Sequence, residues 1–275
     1  MTIWEAVLLG LVQGIAEFLP ISSSGHLSVV NNLFKISEEG HMFFDVLLHL
    51  GTLASILIVY WQDIKEMFYE VISFANLGPL AGQPREHYPQ ARTFLMIVMA
   101  TLPLFLILPI NDMIETLYYN NVFIGVAIIL TGCMLYVSDR MKPGKKTERS
   151  MTILDAIIIG LCQCVATIPG LSRSGTTITA GIATGLRRDF AVKFSFLMSI
   201  PAVLGANILS LADAIREGIN WASVPAYLIG MVVAMLSGIA AINLLRIISN
   251  KGKFGGFAYY CWVMGVLSII LYMIF

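Results

Sequence analysis

The sequence predicts an all-α integral membrane protein with an inverted-topology repeat, each half one re-entrant helical hairpin plus three transmembrane helices. Three observations predict it. First, 57% of the 275 residues are hydrophobic and 12% charged, against roughly 25% charged in a soluble domain. Mean hydropathy is +0.81, and 14 Met and 15 Phe suit lipid as the solvent. Second, six apolar runs are long enough to cross a hydrocarbon core, which takes roughly 17–25 helical residues. Third, one polar motif occurs twice.

In chain order, region 3–35 begins apolar, breaks at Pro20 and a serine cluster, and continues as a short arm of about a dozen residues. At 1.5 Å per residue such an arm covers only about 18 Å, too little to cross, so the region reads as a re-entrant hairpin. Spans follow at 43–61, 92–110 and 121–138. Region 151–188 repeats the hairpin pattern, breaking at Pro169-Gly170, and spans at 190–212, 224–246 and 255–275 complete the chain. Residues 1–150 and 151–275 are therefore the two repeats of one functional domain. Gly51, Gly205, Gly230 and Gly238 are expected where spans pack closely.

Charge sets the orientation. Lys/Arg cluster in 62–92, 139–150, 187–193 and 246–253, which places 14 of the 17 on the cytoplasmic side by the positive-inside rule. Lys35 and Arg216 fall outside, beside Glu38, Glu39, Asp112, Glu115, Asp213 and Glu217, with Arg173 unassigned. Both termini are then outside. The start, Met1-Thr2-Ile3-Trp4-Glu5, lacks a basic n-region, and Glu17 interrupts the apolar run, so it reads as mature protein. Zero net charge offers no basic footprint, so no nucleic-acid partner is expected. Cys133, Cys162, Cys164 and Cys261 lack CxxC spacing and read as packing residues.

The repeat is explicit. Gly10-Leu-Val-Gln-Gly-Ile-Ala-Glu-Phe-Leu-Pro-Ile-Ser-Ser-Ser-Gly25 aligns without gaps on Gly160-Leu-Cys-Gln-Cys-Val-Ala-Thr-Ile-Pro-Gly-Leu-Ser-Arg-Ser-Gly175, with seven of sixteen positions identical at an offset of 150. One hairpin plus three crossings is odd, so the second copy is inverted. Inverted repeats with broken helices put their working site near the bilayer midplane.

Gln13 and Glu17 are four apart and share a helix face. A carboxylate in a lipid-bathed helix usually faces a cavity and a partner, here either a neighbouring helix or a hard divalent ion. Ser22, Ser23, Ser24 and Gly25 precede the short arm, whose free N–H groups form an anion site unless the serines only cap it. His26 is a candidate general base or acid, and Ser23 a candidate nucleophile. The partner turn carries Ser172, Arg173, Ser174, Gly175 and Thr177. Arg173 stands at the repeat position of Ser23. A guanidinium there needs an anion, phosphate or Glu17, and its planar fork matches phosphate. Asp45, His49 and Asn207 are adequately explained by interhelical hydrogen bonds.

Gln13-Gly-Ile-Ala-Glu17-Phe-Leu-Pro-Ile-Ser-Ser-Ser-Gly-His26 and Pro169-Gly-Leu-Ser-Arg-Ser-Gly-Thr-Thr177 closely resemble the two signatures of the bacterial undecaprenyl-diphosphate phosphatase family, the bacitracin-resistance type. The resemblance runs the full chain. It implies a multi-pass enzyme of the bacterial cytoplasmic (plasma) membrane, its active site facing outward. That enzyme removes one phosphate from a C55 polyprenyl diphosphate lipid and returns undecaprenyl phosphate to cell-wall synthesis. It also implies a divalent cation, Mg²⁺ or Ca²⁺. Carried over by position, Glu17 and Gln13 serve the metal, Ser23 and His26 serve attack or proton transfer, and Arg173, Ser172, Ser174 and Thr177 hold the phosphates. Some members have Glu where this chain has Gln13, so one anionic ligand is missing. The competing expectation is a flippase or other secondary transporter, which needs the anion site but no nucleophile or base. The sequence does not fix the oligomeric state, and a homodimer is carried as one candidate.

Overall fold

The computed structural model describes residues 1–34, 42–75, 87–117, 120–251 and 254–274, except the side chains of Asp112, Glu115, Asn121, Glu217 and Ile274. Lys35, Glu38, Glu39, Arg85, Lys253 and Phe275 lie outside the described residues. Those described form helices α1 (Ile3–Phe18), α2 (Ser23–Phe34), α3 (Met42–Val59), α4 (Trp61–Phe74), α5 (Pro89–Thr101), α6 (Asn111–Thr116), α7 (Asn121–Arg140), α8 (Ile153–Val165), α9 (Arg173–Ala183), α10 (Arg188–Glu217), α11 (Val224–Lys251) and α12 (Gly255–Ile274). They contain no strand, only an isolated parallel bridge between Lys146 and Leu186. Among the described residues six helical segments are long and apolar enough to cross a membrane. They are α3, α5 with its continuation to Ile110, α7, α10, α11 and α12, which match the six predicted runs to within a few residues.

Three features differ from the sequence reading. The apolar run at 92–110 is α-helical only to Thr101 and then tightens into 3-10 turns around Pro103 and Pro109, because proline removes an N–H from the α ladder. Residues 62–75, counted above as loop, are largely the amphipathic helix α4. Its polar face and short length hid it from a search for spans. Gly205 is the exception among the four glycines, since a Cβ added there meets nothing.

Helix starts follow from local chemistry. Thr2 caps α1, its hydroxyl accepting from the Glu5 N–H at 3.3 Å while the Glu5 carboxylate accepts from the Thr2 N–H at 2.7 Å. Thr152 and Asp155 build the same reciprocal cap on α8, at 3.2 and 2.8 Å. Each arrangement satisfies two N–H groups that the first turn leaves without an acceptor. The two caps stand 150 residues apart, the offset of the motif repeat.

Packing repeats the same correspondence. Helix α1 lies on α11, and α8 lies on α5. A Cβ at Gly10 would run into the Gly230 carbonyl, and one at Gly160 into the Ala100 carbonyl. Close backbone approach of this kind suits helices that gain little hydrophobic drive from lipid. Helix α3 packs on α11 and α10, and α7 packs on α12. Gly51 and Gly238 sit at the α3–α11 seam, where a side chain would meet the Met231 carbonyl and Ser55 respectively.

Ion pairs tie helix ends at the basic side. Lys193 of α10 pairs with Asp63 of α4, and both oxygens of Asp155 accept from Lys146 Nζ at 2.9 Å. Asp139 at the end of α7 accepts from Arg188 at 3.3 Å and from the N–H groups of Phe254 and Gly255 at 2.7 and 3.0 Å. One carboxylate thereby joins α7, α10 and the start of α12. The four cysteines are free thiols.

Gly10→Ala is expected to push α1 off α11 and lower the thermal midpoint in detergent, an overpacking cost of about 1–3 kcal/mol. Gly205→Ala, with open space around it, is expected to leave the midpoint unchanged or slightly raised. Equal midpoints for the two variants would show that the α1–α11 approach is not the tight contact described.

Candidate active site

Helices α1 and α8 end at their proline breaks, and the turns beyond them meet. Ser22 Oγ accepts from the Gly25 N–H at 3.3 Å and Ser172 Oγ from the Gly175 N–H at 3.1 Å. Each first serine therefore caps the helix that follows it. The third serines bond across. Ser24 Oγ accepts from the Gly170 N–H at 3.2 Å, and Ser174 Oγ donates to the Leu19 carbonyl at 3.4 Å. Gly170 has φ +87°, and a Cβ there would meet the Ile124 carbonyl and the Ala127 side chain. Glycine is needed on both counts.

The middle positions carry the charge and the hydroxyl. Arg173 Nη2 donates to Glu17 Oε1 at 2.5 Å, with the side chains 21% and 9% exposed. Ser23 Oγ donates to the other oxygen, Oε2, at 2.7 Å, and Gln13 Nε2 approaches the same oxygen at 3.3 Å. One carboxylate thus gathers a guanidinium, a hydroxyl and an amide from both repeats. The sequence-predicted residues Gln13, Glu17, Ser23 and Arg173 come together in this cluster.

His26 does not join it. Its Nδ1 lies 2.7 Å from the Ser22 carbonyl and its Nε2 lies 2.8 Å from the Tyr260 hydroxyl on α12. The expected Ser23–His26–Glu17 constellation is therefore divided, with Ser23 on Glu17 and His26 on Tyr260. Thr177 Oγ1 and Ser195 Oγ of α10 lie 2.6 Å apart, and Thr131 Oγ1 of α7 accepts from the Ser172 N–H at 3.0 Å. Sequence reasoning missed Tyr260, Ser195 and Thr131. Each is a single polar group in an apolar span, without a motif to mark it. His49 Nδ1 donates to the Asp45 carbonyl at 2.9 Å within α3.

For a divalent ion the donors are one carboxylate, the hydroxyl of Ser23, and Gln13 Oε1, which is buried without a hydrogen-bond partner. Among the described residues no cluster of three or more His, Cys, Asp or Glu forms. This all-oxygen set fits a hard cation that takes most of its ligands from substrate phosphate and water, as Mg²⁺ commonly does.

Fold and cluster define a class: a multi-pass helical membrane protein with a polar, arginine-bearing site between two broken helices. The family model for bacitracin resistance protein BacA matches residues 6–267. The chain belongs to that family. It is 38% identical over 274 residues to an undecaprenyl-diphosphatase of Carboxydothermus hydrogenoformans, covering 98% of each chain. It is 37% identical to one of Methanosphaera stadtmanae, again covering 98% of each. A third such enzyme, of Halothermothrix orenii, is 35% identical across the whole of both chains.

Arg173→Ala is expected to strand the Glu17 carboxylate and destabilise the protein by on the order of 3 kcal/mol, as when one partner of a buried pair is removed. Adding Glu17→Gln should recover most of that loss, read as the thermal midpoint. Failure of the double variant to recover would mean the pair does not hold the site together.

Proposed function

We propose that this protein is a membrane phosphatase that hydrolyses undecaprenyl diphosphate to undecaprenyl phosphate and inorganic phosphate, recycling the lipid carrier for cell-wall synthesis. The observation that carries this reading is the cluster of guanidinium, carboxylate and hydroxyl where the two turns meet. A diphosphate on a long isoprenoid needs an anion site reachable from lipid. Hydrolysis at phosphorus is chiefly a matter of positioning and charge neutralisation. A flippase needs the arginine but has no use for a hydroxyl held on a carboxylate.

In this mechanism Arg173 leaves Glu17 for the arriving diphosphate, whose remaining charge meets the N–H groups at the starts of α2 and α9. Ser22, Ser24, Gly25, Ser172, Ser174, Gly175 and Thr177 shape those two starts. Glu17 Oε2, already 2.7 Å from Ser23 Oγ, takes the hydroxyl proton as Oγ attacks the terminal phosphorus. The bond from that phosphorus to the bridging oxygen breaks, and the lipid monophosphate departs. Water then attacks the phosphorus of the Ser23 phosphoester as His26 takes its proton. The bond from phosphorus to Oγ breaks, Oγ takes back the proton held on Glu17, and inorganic phosphate is released. The proton on His26 leaves with the products. Glu17 and Gln13 Oε1 would hold a divalent cation, which would supply further neutralisation of diphosphate charge.

The membrane arrangement belongs to the same proposal. We read 3–35 and 151–188 as re-entrant hairpins and 1–150 and 151–275 as inverted repeats. The matched caps at Thr2 and Thr152 and the matched contacts Gly10–Gly230 and Gly160–Ala100 support this. The site then opens on the outer side of the bacterial cytoplasmic membrane, a reading supported by the family resemblance and by the basic loops that mark the cytoplasmic face. Its named groups all come from one chain, so the mechanism works equally in a monomer or a homodimer.

Purified protein in detergent with Mg²⁺ is expected to release phosphate from a C55 diphosphate and to stop when a chelator removes the metal. Arg173→Ala should lose on the order of 10²–10³-fold in kcat, and Ser23→Ala at least as much. Folded wild type that binds the lipid diphosphate without releasing phosphate would overturn the catalytic reading in favour of the flippase.

A further inference from the structure

We propose that Tyr260 is a positioning residue for His26, orienting the ring whose tautomer the Ser22 carbonyl sets and engaging Nε2, the atom that takes a proton. The inference rests on the role given to His26 above. A carbonyl oxygen only accepts, so the 2.7 Å contact between Nδ1 and the Ser22 carbonyl requires a hydrogen on Nδ1. In the neutral ring Nε2 is then a bare lone pair, and the hydroxyl 2.8 Å away on Tyr260 donates to it. The rings lie nearly parallel, 7° apart with centroids at 5.6 Å, so the phenol lies alongside the imidazole and limits its rotation.

Both sides of this clamp are themselves fixed. Ser22 accepts the His26 backbone N–H at 3.3 Å as well as its ring N–H. Among the described residues it is the one non-glycine at positive φ, 75°, a conformation that costs about 1–2 kcal/mol for an L-residue. Such strain persists only where its surroundings hold it in place. On the other side, α12 is pinned at its start by Asp139, and beside Tyr260 the Cys261 thiol donates to the Pro20 carbonyl at 3.6 Å. Tyr260 is therefore set against the very turn that carries Ser22 and His26.

A tyrosine hydroxyl suits the task because it both donates and accepts. It donates to the neutral imidazole before proton uptake, turns its hydrogen aside as Nε2 takes the proton, and then accepts from the imidazolium, so the ring keeps a partner in both states. An apolar ring at 260 would keep the stacking and lose this function. Tyr260 is 41% exposed on the outer surface of the bundle, so removing its hydroxyl opens no buried cavity.

The test is Tyr260→Phe, with His26→Ala and the double variant. In Tyr260→Phe, kcat is expected to fall about 5–10-fold, the kinetic weight of one hydrogen bond, with KM changed less than about twofold. The double variant should be no slower than His26→Ala alone, since the tyrosine acts only through the histidine. Independently of activity, spectra of ¹⁵N-histidine protein should show His26 as the Nδ1–H tautomer, with its Nε2 resonance shifted in Tyr260→Phe as the hydrogen bond to that nitrogen is lost. An unchanged spectrum, or additive losses in the double variant, overturns the positioning role. Wild-type kcat in His26→Ala would sink the role given to His26, and the spectra would then decide the positioning by Tyr260 alone.

Discussion

A guanidinium and a carboxylate meet between helices whose outer surfaces face lipid, and the rest of the site is arranged around that meeting. Neither Glu17 nor Arg173 could be kept ionised alone in a hydrocarbon setting at acceptable cost. Together, with the Ser23 hydroxyl on the second carboxylate oxygen, they form a pair that is nearly neutral and largely satisfied. The pair is also strategically weak. An arriving diphosphate offers Arg173 more negative charge than one carboxylate does, so the contact that steadies the empty site is one that substrate can replace. On the proposed mechanism, release of Arg173 frees Glu17 to accept the Ser23 proton, which couples binding to activation of the nucleophile.

That geometry depends on two turns holding each other at a fixed distance. The turns do so through short serine contacts. Ser22 and Ser172 cap their own helices, whereas Ser24 and Ser174 bond the opposite turn. Alternate serines thus divide between local and cross-turn work, and the residue between them, Ser23 in one copy and Arg173 in the other, points its chemistry at Glu17. Side-chain hydroxyls are suited to this because they satisfy backbone groups that helix ends leave open without adding charge to the membrane interior.

Much of this was legible in the sequence, for identifiable reasons. Apolar runs of span length have few alternative explanations, and so the six segments were found to within a few residues. Gln13 and Glu17 shared a face because they are four apart. Arg173 needed an anion because it sits in an apolar region. The less legible features have one cause in common, which is that they depend on long-range placement. His26 sits beside Ser23 in sequence, yet the helical turn that starts at Ser23 carries them to different partners, Glu17 and Tyr260. Tyr260 lies 234 residues from His26 in a span where two neighbouring aromatic residues, Tyr259 and Trp262, pack against Tyr136. Helix α4 was hidden because amphipathic character, not apolar length, identifies it.

The divergence of the two copies follows from what a single site needs. In the first copy the positions along the motif hold Glu17, Ser23 and His26. In the second, at the same offset, they hold Thr167, Arg173 and Thr176. On the proposed mechanism, one half carries a base, a nucleophile and a proton carrier, and the other carries the cation. Had both halves carried Glu and Ser, two carboxylates would have faced each other across the turns without a counter-charge. Had both carried Arg, no group could have accepted a proton. An exact duplicate would therefore be electrostatically unstable and chemically idle. On the proposed inverted arrangement, opposite roles at equivalent positions also bring unlike groups face to face, since the two turns meet about a common axis. Complementarity at Glu17–Arg173 is then the condition under which two copies of one short motif can share a single buried site.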